Sequence, residues 1–328
     1  MGDSSPRQRS ARRAVGVIST LGFACVAAGF TAGLGARPIT PSLARPTMTA
    51  PAPVGVRAGL WFLDSLVGRS RKLRALFVTP SKPSFGIQAL ERLFGDSAVT
   101  TPGVYTVRDS DVAQPISLIS LVPFSAKERG RIGTYRLGFW PFERRTARNP
   151  AYANPDGFVQ VTPANEDTYV SEHFRLRDFL THDQVDVWPK YLVLNEKLID
   201  KLELVIEDLD AHGVPVEHLA IMSGFRTPEY NVLGVGRRGG RARDSRHQYG
   251  DAADVFVDNG ESGTMDDLNH DGRVNVRDAR LIMEAVDRVE EEHPDLVGGM
   301  GLYRATRAHP PFVHIDTRGD RARWGGAR

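Results

Sequence analysis

Ser245-Arg-His-Gln-Tyr-Gly-Asp-Ala-Ala-Asp254 runs straight into Val255-Phe-Val257, and this stretch decides how the C-terminal half is read. A polar turn containing a glycine feeds an apolar run short enough to be a buried strand. His247 offers an imidazole from the turn, and Asp254 offers a carboxylate from the head of the strand. About sixty residues on, Pro311-Phe-Val-His-Ile-Asp316 is a second short apolar run. Period-two alternation puts Phe312, His314 and Asp316 on one face of it. Two neighbouring strands would bring His247, Asp254 and His314 to one point and leave a fourth position for water. Three protein ligands plus water is the catalytic form of a zinc site. Taken singly, the residues have plainer readings: a turn histidine, a strand-capping aspartate and a satisfied core histidine.

Outward from this stretch, Asn195 to Gly213 reads as a helix. Leu198, Ile199, Leu202, Val205, Ile206 and Leu209 form its stripe, Asn195 its N-cap and Gly213 its stop. His218 to Met222 follows as a buried strand. A helix followed by strands predicts an α+β fold for 166–328. Between 59 and 165 the pattern predicts a small β-containing module. It has a short helix over 85–94 and strands at Ile116–Val122 and Tyr135–Phe139, and no catalytic pattern. Phe139, Trp140 and Phe142 read as core rather than as a sugar-stacking surface. Residues 37–58 are a Pro-rich linker.

The N-terminus carries Arg7, Arg9, Arg12 and Arg13, then 23 uncharged residues from Ala14 to Ala36. This pattern reads as a signal peptide or membrane anchor over 1–36, with residues 14–36 reaching about 34 Å as a helix. The protein is therefore expected to be exported, with a possible single-pass anchor in the cytoplasmic membrane. Cys25 falls inside the apolar run and reads as a small buried residue. The chain of 328 residues has 42 basic and 40 acidic side chains, a net charge of +2, and one cysteine. No global charge favours nucleic acid. Neither a disulfide framework nor a thiolate zinc cluster can be built from one thiol.

Asp267-Leu-Asn-His-Asp-Gly-Arg-Val-Asn-Val-Arg-Asp278 carries oxygen ligands at EF-hand positions. Asp267, Asn269, Asp271, the Arg273 carbonyl and Asp278 would hold Ca²⁺ in a structural role, pinning an insertion between two zinc ligands. Asn275 would help directly or through water. The spacing is closer to a single dockerin repeat than to a calmodulin-type hand, and a helix with Leu281, Ile282, Ala285, Val286 and Val289 follows. His173, His182, His212, His270 and His293 read as surface histidines without partners.

Ser223-Gly-Phe-Arg-Thr-Pro-Glu-Tyr-Asn231, Ser245-x-His-x-x-Gly-x-Ala-x-Asp254 and Phe312-Val-His-Ile-Asp316, closing on Arg323-Trp324, together resemble the D-Ala-D-Ala carboxypeptidase family of zinc peptidases. That group includes lysostaphin and the hedgehog signalling domain. A Phe174-Arg-Leu-Arg-Asp-Phe179 lead-in extends the resemblance to roughly 170–328. The resemblance implies a hedgehog/D-Ala-D-Ala peptidase-like domain with a central antiparallel sheet. Zinc would be bound by His247, Asp254 and His314, and peptidoglycan stem peptides would be the substrate. Arg226 matches the arginine of the family's S-G-[YF]-R motif, where it sits near the scissile carbonyl or the substrate carboxylate; its plainer reading is an ion pair beside a turn. Ser245 would orient His247. Many relatives carry a carboxylate three residues before the last histidine ligand, and here that position is Pro311. His309, five residues before His314, and Asp316 are the candidates for the base, with His309 preferred; Asp316 reads equally as a carboxylate that supports a ligand from behind. The rival reading is a wall-binding module that keeps zinc and has lost turnover.

Overall fold

The computed structural model describes residues 68–80, 87–107, 115–147, 149–236 and 240–326. The basic and apolar N-terminal segment, Cys25 and the Pro-rich linker lie outside the described residues. Among the described residues, no helix is long and apolar enough to cross a membrane.

The first elements are strand β1 (Ala75–Val78), helices α1 (Ile87–Phe94) and α2 (Asp96–Thr100), and strands β2 (Gly103–Val107) and β3 (Ile116–Ser120). They form a three-stranded sheet ordered β1-β3-β2, parallel on one side and antiparallel on the other. Leu76, Leu90, Ala98, Val99, Tyr105 and Leu118 close a satellite core between this sheet and the two helices.

Short strands β4 (Val122–Pro123), β5 (Arg131–Ile132) and β6 (Tyr135–Arg136) follow, then β7 (Gly157–Val161) and β8 (Lys190–Leu192). β4, β7 and β8 make a second antiparallel sheet, and β5 pairs with β6 in a hairpin. The strand expected over Tyr135–Phe139 ends after two residues, because Leu137 N–H and Gly138 N–H both donate to the Gly130 carbonyl and leave the ladder. Phe139 is accordingly exposed and Phe142 half-buried, so of the aromatic trio only Trp140 is buried in the core.

The C-terminal part contains helix α3 (Glu196–Ala211), strand β9 (Leu219–Ser223), helix α4 (Pro228–Leu233), strand β10 (Ala252–Val257) and helix α5 (Val276–Glu292), then strands β11 (Gly299–Tyr303), β12 (Phe312–Asp316) and β13 (Ala322–Trp324). α3 begins where its sequence demands, with the Asn195 side chain accepting from Lys197 N–H at 2.9 Å. It ends at Gly213, which sits at φ +82°. The expected stripe is buried along its whole length; each such Leu, Ile or Val side chain contributes about 1.5–3 kcal/mol.

α3 and α5 pack together, and α5 lies against β11 and β12. The five strands order as β13-β11-β12-β10-β9, antiparallel except for β11 with β13. The fold is a mixed α+β arrangement of small, mostly antiparallel sheets.

One apolar cluster takes side chains from both sides of position 165, from Leu73, Trp140 and Phe158 through Phe174, Ile199 and Val255 to Ile315. The stretch read as a small module therefore shares the main core.

Candidate metal centre

Cross-strand register places one residue from each strand of the five-stranded sheet in a single row: Ser223, Asp254, His314, Gly301 and Trp324. A bulge follows Asp254, where the pairing shifts from Ser223 to Ile221. Such irregularities re-aim a side chain beside a site. His247 reaches the row from a tight turn over Arg246–Tyr249 that ends on Gly250 in the left-handed region at φ +66°. A Cβ on Gly250 would stand 2.2 Å from the Val193 carbonyl oxygen, so both conformation and space require glycine.

That turn is braced by residues far back in the chain. Trp140 Nε1–H donates to the Gln248 carbonyl at 2.8 Å, Arg246 donates to the Ala151 carbonyl, and Tyr152 meets Tyr249 edge-on. Arg246 also forms a buried ion pair with Asp251. The segment before 165 thus helps hold His247 in place.

His247, Asp254 and His314 are all buried, and each offers a ligand atom within 4.8 Å of the others. His247 Nε2 lies 3.1 Å from His314 Nδ1, and Asp254 Oδ1 lies 3.3 Å from the former and 2.9 Å from the latter. Ligand atoms about 2.0–2.1 Å from a tetrahedral centre would stand about 3.3 Å apart, so the spacing suits a small divalent cation.

The outward nitrogens fix the chemistry of the inward ones. His247 Nδ1–H donates to the Gly224 carbonyl at 2.7 Å, and a carbonyl can only accept. His314 Nε2–H donates to Asp316 Oδ2 at 3.2 Å. Neutral rings held in this way aim two lone pairs at each other beside a carboxylate, an arrangement that calls for a positive charge at the centre. Burial, with help from Arg226 and His314, lowers the His247 pKa to about 4 against the pull of Asp254, so this ring is neutral as a ligand must be. Burial also works to lower His314, but Asp254 and Asp316 outweigh it and raise its pKa. Burial opposes charge on Asp254 too, yet the two imidazoles hold it well below the usual carboxylate range.

Three sequence expectations change here. Asp316 is not poised as a base. It is fully buried, and its two oxygens accept from Gly299 N–H at 2.7 Å, from the Arg318 backbone and guanidinium, and from His314. It orients His314 instead. Burial resists its ionisation, but the bonds from His314 and Arg318 drive its pKa far down. Arg226 is tied back to the centre: Nη2 pairs with Asp254 Oδ2, and Nε donates to Ser223 Oγ at 2.8 Å. It neutralises the carboxylate oxygen turned away from the histidines. The group behind His247 is the Gly224 carbonyl rather than the Ser245 hydroxyl.

His309 is half-buried, its ring edge-on to Phe312 at 5.0 Å. Its Nδ1–H donates to the Pro310 carbonyl at 2.9 Å, so in the neutral tautomer the lone pair is on Nε2. Two aromatic residues to which sequence reasoning assigned no role belong to this region, one in the row and one bonded to it. Trp324 packs on His314 with ring centroids 5.2 Å apart, and Tyr303 receives the Trp324 Nε1–H at 2.9 Å. Their alternation on short strands was the signal available. A further surprise is His173, whose Nδ1 lies 2.7 Å from the buried Glu203 carboxylate rather than facing solvent alone.

The loop expected to bind calcium is closed on itself. Asp267 accepts from Asp271 and Gly272 N–H, Asn269 from Asp271 N–H, and Asp271 from Arg273 N–H, with Arg277 paired to Asp271. Asp278, fully buried, accepts from Asn269 and Asn275 N–H; with Asn275 it caps α5. Among the described residues, Asp267, Asp271 and Asp278 do not bring ligand atoms together as the His247 group does. The calcium expectation finds no support, and these oxygens are seen here in turns and a helix cap.

A buried carboxylate and two imidazoles, each fixed from behind, define a candidate mononuclear metal centre. Residues 173–276 match the family model described as Peptidase M15, a D-Ala-D-Ala carboxypeptidase-type family of zinc peptidases, which supports a metallopeptidase. The match covers roughly a third of the chain and contains Arg226, His247 and Asp254; His314 lies beyond it and is brought in by the sheet. No curated protein and no solved structure matches the chain.

Proposed function

We propose that the C-terminal region is a zinc peptidase with a hedgehog/D-Ala-D-Ala peptidase-like arrangement, cleaving stem peptides or cross-links of peptidoglycan as a D-amino-acid carboxypeptidase or endopeptidase. The observation that carries the reading is the convergence of His247 Nε2, Asp254 Oδ1 and His314 Nδ1, each presented as an electron-pair donor. Those three residues would hold zinc. When bound, zinc supplies a Lewis acid for the amide carbonyl and lowers the pKa of water to about 7.

The chain's own residues do the rest. Arg226 balances the charge of Asp254, and Asp316 and the Gly224 carbonyl hold the two rings. His309, whose neutral tautomer carries its lone pair on Nε2, accepts the proton and passes it to the departing amine. The basic, apolar N-terminus suits export to the extracytoplasmic side, cleaved as a signal or retained as an anchor. One observation favours a second reading, a wall-binding module without turnover: Pro311 stands where a carboxylate base would be, and Asp316 is fully engaged elsewhere.

Incubating the purified full chain with peptidoglycan separates the two. Release of amine or D-alanine that stops in chelator supports the peptidase. Retained zinc with no product at any substrate concentration supports the module.

A further inference from the structure

Gly301 stands opposite His314 in the ladder and opposite Trp324 on its other side. A Cβ there would come 2.1 Å from Trp324 Nε1, so the missing side chain lets the indole lie in the row, over the imidazole. Two residues along β11, Tyr303 lies opposite Phe312, and the two rings stack at 4.5 Å with planes 5° apart. The phenol is thus held on two sides, by a stacked ring and by the Trp324 N–H.

The indole can only donate, so the phenol oxygen accepts that bond and its own proton points elsewhere. Tyr303 remains 36% exposed, so the residue is not sealed into the core. Burial and the nearby Asp254 raise its pKa, against the Trp324 bond and Arg226, which keeps the phenol protonated in neutral solution. Asp316 is spent behind His314, and Arg226 has two nitrogens spent on Asp254 and Ser223. A peptide bond attacked beside this row needs a donor for the charge developing on its carbonyl oxygen.

We propose that Tyr303 is a catalytic residue that donates its phenolic hydrogen bond to the scissile carbonyl oxygen of the bound peptide, with Trp324 as the positioning residue that sets its rotation. No proton is transferred; the hydrogen bond strengthens as the oxygen gains charge and relaxes when the carbonyl re-forms. The proposal rests on the peptidase reading and names a residue for it.

The test compares wild type, Tyr303→Phe and Trp324→Phe in the zinc-loaded full chain. It measures hydrolysis of a synthetic D-alanyl-D-alanine stem peptide and calorimetric binding of the matching phosphinate, which imitates the charged tetrahedral state. Loss of one such donor is worth about 100-fold in kcat. Tyr303→Phe should lower kcat by that order with KM and zinc content unchanged, and weaken the phosphinate far more than the substrate peptide. Trp324→Phe, which keeps an aromatic ring and loses the N–H, should fall between. An active wild type with Tyr303→Phe within twofold in kcat and phosphinate affinity overturns the assignment and leaves the peptidase standing. A wild type that neither cleaves the peptide nor binds the phosphinate removes the peptidase reading and the assignment together. If the wild type binds the phosphinate without turnover, the affinity ratio alone decides for or against Tyr303. Should Tyr303→Phe prove unstable, Trp324→Phe carries the same comparison.

Discussion

His314 donates its Nε2 proton to Asp316 two residues along the same strand face, and that bond turns Nδ1 toward Asp254 and His247. A carboxylate behind an imidazole ligand fixes its tautomer and raises its basicity. Asp316→Asn keeps the size and loses the charge. Zinc affinity should fall about 10- to 100-fold with the fold retained, as measured by competition with a chromophoric chelator. Unchanged affinity would mean that Asp316 serves only Arg318 and Gly299.

Lys201 is fully buried, its Nζ 2.7 Å from Glu290 Oε1 and 2.9 Å from the Asp316 carbonyl. Glu290 also pairs with Arg323. The cluster ties α3 and α5 to the strand that carries His314. Burial pulls the Lys201 pKa down while Glu290 opposes it. Lys201→Ala leaves a buried carboxylate one partner short, and breaking such a pair costs about 3–5 kcal/mol. Denaturant unfolding should register a loss of that order; a change under about 1 kcal/mol, the scale of exposed pairs, would show that the pair is dispensable.

The His173–Glu203 pair gives a pH test with a definite sign. The hydrogen bond that His173 Nδ1–H donates to Glu203 raises the His173 pKa above the ordinary 6.5 of the unfolded chain, against the cost of burial. Its contribution is therefore complete below about pH 6.5 and disappears as pH rises through the raised folded value. The stability gap between wild type and His173→Gln should be larger at pH 5.5 than at pH 8.5. An equal gap at both would show that His173 is not charged in the fold.

His247 depends on groups remote in sequence, which makes the role of the first half testable. Trp140→Phe removes the 2.8 Å bond to the Gln248 carbonyl while preserving most of the packing. A buried acceptor left without its donor costs about 1–3 kcal/mol. The melting temperature should fall and zinc should exchange faster with chelator. Unaltered zinc exchange with a lowered melting temperature would confine Trp140 to the core.

The clustered triad was legible because a strand pattern, with a glycine turn before an apolar run and an alternation that fixes the face of His314, coincides with the ordered motifs of the family it resembles. The long helix was legible because its stripe and both ends are written in side chains. Backbone carbonyls leave no mark on a sequence, so the Gly224 oxygen behind His247 went unread. Alternation placed Asp316 on the correct face but did not show how many donors surround it, and so did not separate a base from an orienting group. The acidic loop followed a metal-binding spacing equally well served by turns and a cap, since the same Asp and Asn oxygens do both. Lys201 and His173 find carboxylates 89 and 30 residues away, pairings that no local period reports. Tyr135–Phe139 alternates like a strand, yet one carbonyl at Gly130 takes two of its N–H groups.

The most direct measurement is the metal content of the purified full chain beside His247→Ala, with unfolding followed in both. About one zinc per wild-type chain, removable by chelator and absent from a folded His247→Ala, is the expected result. A folded wild type that takes up no zinc from a stoichiometric solution, or a His247→Ala variant that keeps it, would contradict the metal centre.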